Sequence, residues 1–249
     1  MAEVRRLTLA DLDGGLALST ASGWNQTADD WHRVLTLPGM AAWGIDRDGH
    51  IVATTTAIRY GDDLAWIGMV LTAERYRGQG LASLLLTTAM DSLADCDLVK
   101  LDATEQGAPL YRRFGFEDEA EVVRYVGRPA AIPRVVMGGC AGPDVFGANR
   151  SALLASFGKS ACLADGSFAY GRAGRVTPFF GPCVANEGSG GQLLAWFAAQ
   201  HAGELMLDRM GGAPHLAGFR PARRLMRMYC GKLVPAAEGQ FALAGFEFG

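Results

Sequence analysis

The chain has little of what several function classes need. Its 249 residues include five cysteines, at 96, 140, 162, 183 and 230. They are odd in number and far apart, and no Cys-x-x-Cys pair or Cys/His cluster appears, which argues against a zinc site. Read as reduced thiols, they point to a cytoplasm. No apolar run approaches the roughly 20 residues of a membrane span. The opening MAEVRRLTLADLD carries charges but no apolar stretch of the signal-peptide kind. Basic charge is not in excess: 23 Lys and Arg against 26 Asp and Glu give a net −3. Neither a nucleic-acid partner nor a membrane-binding face is expected from that balance. What remains is a chain 49% hydrophobic and 20% charged, the composition of a soluble globular protein long enough for one large domain or two ordinary ones.

The most informative stretch is Met69–Ala82, MVLTAERYRGQGLA. An apolar strand runs into a basic loop with two glycines one residue apart, and then into LASLLLTTAMDSLA, rich in helix formers. A helix start offers unpaired N–H groups and a partial positive charge. Gly78 and Gly80 remove the side chains that would keep an anion away, and Arg75 and Arg77 add fork-shaped donors. The stretch reads as a pyrophosphate cradle, against the plainer alternative of a tight turn with two solvated arginines. A P-loop would need Lys-Ser or Lys-Thr after the glycines, and a dinucleotide fingerprint would need Gly or Ala where Ser83 stands.

Arg-x-x-Gly-x-Gly followed by Leu-Ala resembles the acyl-CoA-binding signature of the GNAT (Gcn5-related N-acetyltransferase) superfamily. Leu98–Asp102 as a following strand, then Ala108–Phe114 read as a loop and Gly115-Phe116, resemble the closing Tyr-x-x-x-Gly-Phe segment of that fold. The family's Asn and Ala ahead of that tyrosine are replaced by Thr104 and Gly107, so Thr104 is the candidate contact to the CoA arm. The resemblance implies an α+β fold of the three-layer GNAT type, with mixed central sheets flanked by helices. It implies that Arg75, Tyr76, Arg77, Gly78, Gln79, Gly80, Leu81 and Ala82 hold the CoA pyrophosphate.

In chain order, Val4–Leu9 reads as a first strand. Thr27 is placed to cap a helix over 28–35. Ala42–Asp46 and His50–Tyr60 form a hairpin about Asp48-Gly49, and Leu64–Leu71 follows as a third strand. Trp24, Asn25 and Trp31 stand where the family's first two helices wall the acceptor, although both tryptophans read more readily as core or helix-packing aromatics. Ala120–Val126 is a further strand, and residues 128–134, with two prolines, read as a linker.

The second half reads as a weakened copy. Gly181, Glu187, Gly191, Gln192, Leu194 and Ala195 fall under Gly68, Glu74, Gly78, Gln79, Leu81 and Ala82 without a gap. A helix over 193–199, a strand at Leu205–Asp208 and Gly218-Phe219 continue the echo, which suggests internal duplication. The copy lacks both arginines and has Leu193 in place of Gly80. The expected layout is therefore two tandem acyl-CoA N-acyltransferase-like modules, 1–127 and 135–249, the second degenerate.

By resemblance, a bulge at Met69, Val70 or Leu71 would polarise the thioester carbonyl, and Tyr111 would be the general acid. Otherwise Tyr111 is a helix aromatic packed on Phe114 and Phe116. No base is readable: strand 64–71 holds no acid or histidine, and Glu74, Asp62, Asp63, His32, Glu105, His201 and His215 are all ordinary candidates. The expectation is an acetyl-CoA-dependent N-acetyltransferase acting on a small amine or amino acid, without metal, as a monomer or homodimer. The alternatives are a non-catalytic acyl-CoA-binding sensor and a nucleotide-phosphate binder of another fold.

Overall fold

A computed structural model describes residues 3–129, 144–234 and 239–249. Strand β1 (Val4–Arg6) leads through a short 3-10 turn into helix α1 (Leu12–Ala21). Helix α2 (Ala28–Thr36) starts at Thr27, whose hydroxyl accepts from the Asp30 N–H while the Asp30 carboxylate takes the Thr27 N–H. That reciprocal pair satisfies two donors that an uncapped start would leave open. Strands β2 (Met40–Arg47), β3 (His50–Tyr60) and β4 (Leu64–Thr72) form an antiparallel meander. Its first turn sets Asp48 and Gly49 at positive φ, as the Asp-Gly signal requires.

Helix α3 (Leu81–Ser92), strand β5 (Leu98–Ala103), helix α4 (Ala108–Arg113) and strand β6 (Glu117–Gly127) complete the first half. Residues 108–113, read as loop from the residues themselves but as the helix after the fifth strand by the resemblance, are helical. Pro109 sits in the first turn, where its missing N–H costs nothing. The second half comprises α5 (Ser151–Ala155), β7 (Lys159–Cys162), β8 (Phe168–Arg172), β9 (Phe179–Val184), α6 (Glu187–Ala198), β10 (Leu205–Met210), β11 (Phe219–Gly231) and β12 (Gln240–Ala242).

Alternation along β4 splits the first half into three layers. Ala65 and Ile67 face the core under α3, while Leu64 and Trp66 face the core shared with α2 and α5. Met69 would fall with Ile67 by strict alternation, yet it packs with Trp66. The cause is a bulge: Thr54 pairs with Leu71 and Thr56 with Gly68, so Met69 and Val70 together oppose Thr55.

One sheet runs through both halves, in the order β1-β2-β3-β4-β5-β11-β6-β10-β9-β8-β7. The last long strand of each half sits beside the other half's strand. β11 pairs with β5, and β6 pairs with β10. Two buried ion pairs mark the exchange. Arg227 of β11 reaches Asp102 of β5 at 2.9 and 3.0 Å, and Arg124 of β6 reaches Asp208 of β10 at 2.7 Å through both nitrogens. Asp102 and Asp208 occupy equivalent places in the repeat, so the two pairs are related as the halves are.

Of the expected linker, residues 130–134 lie outside the described residues. Arg128 donates to the carbonyls of Ala198, His201 and Gly203, which satisfies acceptors at the end of α6. The expected repeat of the glycine loop is corrected. α6 begins at Glu187, six residues before the expected Leu193, because the Asn186 side chain accepts the Ser189 N–H and nucleates the helix there. Gly188, Gly190 and Gly191 are therefore helical. Gly190 is required by packing, since a Cβ there would stand 2.2 Å from the Phe241 ring.

Candidate active site

β4 and β5 run parallel only from Leu64 and Leu98 to Trp66 and Lys100, then part. Past Trp66 the two strands enclose a cleft of about 670 Å³, within the range of small-ligand sites. The bulge opens onto it. Met69 holds φ 49°, a left-handed conformation rare for a non-glycine residue, and the Thr54 hydroxyl pins it by donating to its carbonyl at 2.8 Å. Met69, Val70 and Leu71 all line the cleft.

The glycine loop closes one end. Gly78 and Gly80 have φ of 73° and 78°, and a Cβ on either would meet nothing within 4 Å. The glycines are thus demanded by backbone conformation, and the space over them is open. α3 starts at Gly80 with no side-chain cap, whereas Thr27 and Asn186 take the first N–H groups of α2 and α6. Leu81, Ala82 and Ser83, whose N–H groups have no intrahelical acceptor, line the cleft. This end fits a diphosphate: free amides, a helix dipole, and Arg77 on the wall. Tyr76 lines it too, under the Arg75 guanidinium at 4.8 Å. Arg75 and Gln79 are not in the wall; Gln79 bonds the Arg75 carbonyl at 3.4 Å.

Tyr111, on α4, borders the cleft, with its ring edge-on to Phe116 at 6.1 Å. Burial pushes its hydroxyl pKa up, so it stays protonated, and that hydroxyl makes no hydrogen bond among the described residues. Gly107 leaves room for the ring: a Cβ there would stand 3.1 Å from it. Thr104 lines the cleft with its hydroxyl accepting the Gly107 N–H at 3.0 Å.

The acceptor wall differs from expectation at two positions. Trp31 is fully buried, and its indole N–H donates to Ser19 at 3.0 Å. It is a core residue that holds α2 against α1, not part of a substrate rim. Asn25 spends its amide on the β8–β9 connection: its oxygen accepts from the Val176 and Thr177 N–H groups, and its nitrogen donates to the Thr177 carbonyl. It ties the halves together and does not border the cleft. Trp24 does line the cleft.

None of the seven base candidates named from the sequence borders the cleft. Its carboxylates are Asp102 and Glu247. Both oxygens of Asp102 are bound by Arg227. Glu247 gives one oxygen to Arg172 at 2.5 Å; the other is buried without a hydrogen bond, and burial pushes the carboxyl pKa up, partly offset by Arg172. Glu247, Phe246, Arg223 and Arg124 were not singled out from the sequence. They reach the cleft through the exchanged strands and the final turn, which is fixed by the Trp66 indole on the Phe246 carbonyl at 3.0 Å. The repeat itself carried a faint signal for one of them, since Arg124 is the counterpart of Arg227. Among the described residues no group of three or more His, Cys, Asp or Glu could hold a metal ion.

The equivalent splay in the second half is filled. β9 and β10 touch only at Phe179 and Met206, and β12 enters the gap. The Leu243 N–H donates to the Asp208 backbone carbonyl at 2.9 Å and Arg209 to the Phe241 carbonyl at 3.0 Å, and both Phe241 and Leu243 are buried.

Residues 16–116 match the family described as "Acetyltransferase (GNAT) family". Over 59 residues the chain is 46% identical to the uncharacterised N-acetyltransferase YhbS of Escherichia coli, covering 23% of this chain and 35% of that relative. It is 24% identical over 123 residues to the uncharacterised N-acetyltransferase YitH of Bacillus subtilis, 49% of this chain and 43% of that one. The chain thus spans less than half the length of these curated relatives. A Pyrococcus horikoshii structure described as a candidate acetyltransferase superposes with a TM-score of 0.81 at 18% identity, over 100% of this chain and 96% of that one. A tandem GNAT protein from the clavulanic acid biosynthesis pathway superposes at 0.64 and 13% identity, over 92% and 98%. At these identities the likeness establishes the fold, and it covers both halves.

Proposed function

We propose, on the premise that this chain carries an acetyltransferase domain of the GNAT family in its first half, that it transfers an acetyl group from acetyl-CoA to the primary amine of a small molecule. One observation carries the reading. The uncapped, glycine-led start of α3 stands at the mouth of the β4–β5 splay, and the buried, protonated Tyr111 borders the same cleft.

The chemistry follows from those parts. The loop amides and Arg77 hold the diphosphate, and the thioester arm lies along β4. The bulge turns a backbone N–H toward the thioester carbonyl and stabilises the charge that develops there. The amine attacks in a ternary complex, the C–S bond breaks, and Tyr111 protonates the leaving thiolate. A placed acid of this kind contributes about 10²- to 10⁴-fold. The amine proton leaves by water or toward the free oxygen of Glu247. A cleft closed by residues of both halves favours a small acceptor over a protein tail. The cysteine pattern supports a cytoplasmic setting.

The second half contributes walls, not a second acyl-CoA site, because Asn186 occupies the helix start and β12 fills the splay. Thermal unfolding with and without acetyl-CoA tests the reading, beside an Arg77→Ala, Gly80→Leu double variant. Ligand at about 100 times its Kd stabilises by about 2.7 kcal/mol, a shift of roughly 5–10 °C for this size. A shift in wild type and none in the variant is expected. A shift that survives in the variant would put a second site in the other half, and none in either removes the acyl-CoA reading.

A further inference from the structure

The acceptor end of the cleft holds a cation that no group answers. The buried arginines are each matched to a carboxylate: Arg33 and Arg172 to Asp30, Arg124 to Asp208, Arg150 to Asp144, Arg209 to Glu187 and Arg227 to Asp102. Arg223 lines the cleft half-buried and makes no ion pair or hydrogen bond among the described residues. Burial, and then its neighbour Arg124, lower its pKa, and the pull of Asp208 offsets this only in part. Both effects say that its charge is poorly accommodated by the protein alone.

The fold spends a structural device on placing it there. In the β11–β6 ladder Pro221 pairs with Tyr125 and Arg223 with Arg124, so Ala222 is an inserted residue. The insertion breaks the alternation of the strand. Phe219 joins the core of the second half, while Arg223 and Leu225 line the cleft. Without the bulge, Arg223 would share the face of Phe219. Its guanidinium stands 6.0 Å from the ring of Trp24, in the connection between α1 and α2. Trp24 packs with the α2-side core, and α3 lies on the opposite core. Arg223 therefore sits away from the diphosphate end, across the splay from it.

We propose that the acceptor is an amino acid or a close analogue, an amine with its own carboxylate, and that Arg223 binds that carboxylate. The inference rests on the acetyltransferase reading and adds the acceptor's second group. A guanidinium fork matches a carboxylate bidentately, and bringing one to Arg223 supplies the counter-charge the fold withholds. Arg223 is a binding residue here, one that orients the amine toward the bulge.

The test measures kcat/KM by thiol release from acetyl-CoA across the proteinogenic L-amino acids and their carboxamides. Binding of the same compounds to the acetyl-CoA-saturated protein is followed in parallel. Wild type is expected to favour the best acid over its amide by roughly 10- to 100-fold, the range of a charge-assisted contact. Arg223→Gln should erase that preference and leave the KM for acetyl-CoA unchanged, and Arg223→Lys should restore part of it. Arg224→Gln, on an exposed arginine paired with Glu121, is the control and should keep it. Amides used as well as acids would overturn the inference, as would an Arg223→Gln defect confined to acetyl-CoA. So would a panel in which nothing turns over or binds although acetyl-CoA does. If acetyl-CoA itself fails to bind, the acetyltransferase reading falls as well.

Discussion

Burial fixes the protonation state of Tyr111, and that has a kinetic consequence. If Tyr111 acts as the proposed acid, a phenol held protonated throughout the physiological range would give its proton to the thiolate without itself limiting the pH profile. Tyr111→Phe should cut kcat by roughly 10²-fold or more and leave the KM for acetyl-CoA within a few-fold. Since the hydroxyl bonds no described residue, urea unfolding should move by less than about 1 kcal/mol. Unchanged turnover would return Tyr111 to packing and favour a sensor over an enzyme. A second residue-scale effect concerns Asp11. The Arg5 guanidinium holds its carboxyl down to about 2, against an ordinary 3.8. The folded pKa is the depressed one, so this stabilisation is complete above pH 4 and lost as pH falls toward 2. Asp11→Asn should be less stable than wild type at pH 5 by about 1 kcal/mol, a value discounted for solvent screening. The gap should close near pH 2 in urea melts; a constant gap would mean the carboxylate acts through packing.

At the scale of elements, the pairing of β5 with β11 depends on a charge pair taken out of water. Removing one partner leaves the other buried and alone, at about 3–5 kcal/mol. Arg227→Met should therefore destabilise strongly, and Asp102→Leu added to it should recover most of the loss. A double variant as weak as the sum of the singles would mean the two side chains act independently. Elements also show what a sequence can disclose. The loop at Gly78 and Gly80, the Thr27 cap and the Asp48-Gly49 turn are set by neighbours within a few residues, so their chemistry is written locally. The end of the cleft is not. Arg223 and Glu247 arrive from more than 100 residues away, and the bulge that turns Arg223 inward appears only in the pairing of β11 with β6. Asn25 is decided from as far away, by the β8–β9 connection 151–152 residues on, whereas Trp31 is decided by Ser19, 12 residues back but on the neighbouring helix. The glycine-rich stretch at 188–191 misled because a cap at Asn186 converts a run that resembles the loop into helix.

For the whole molecule, the exchange of β6 and β11 means that neither half contains its own complete sheet. Chains of residues 1–143 and 144–249 made separately should each lack cooperative unfolding, and refolded together they should form a one-to-one complex that binds acetyl-CoA. A cooperative 1–143 fragment with its own acetyl-CoA shift would show the first half to be self-sufficient. The same exchange orders events during synthesis. β6 leaves the ribosome about 90 residues before β11 begins, roughly 5–20 s at ordinary elongation rates. For that interval the edge of β5 and the edge of β6 are both without their partner strand. A messenger that stops short of β11 therefore yields not a smaller enzyme but a nascent sheet with two open edges, the kind of intermediate that chaperones shield and proteases clear.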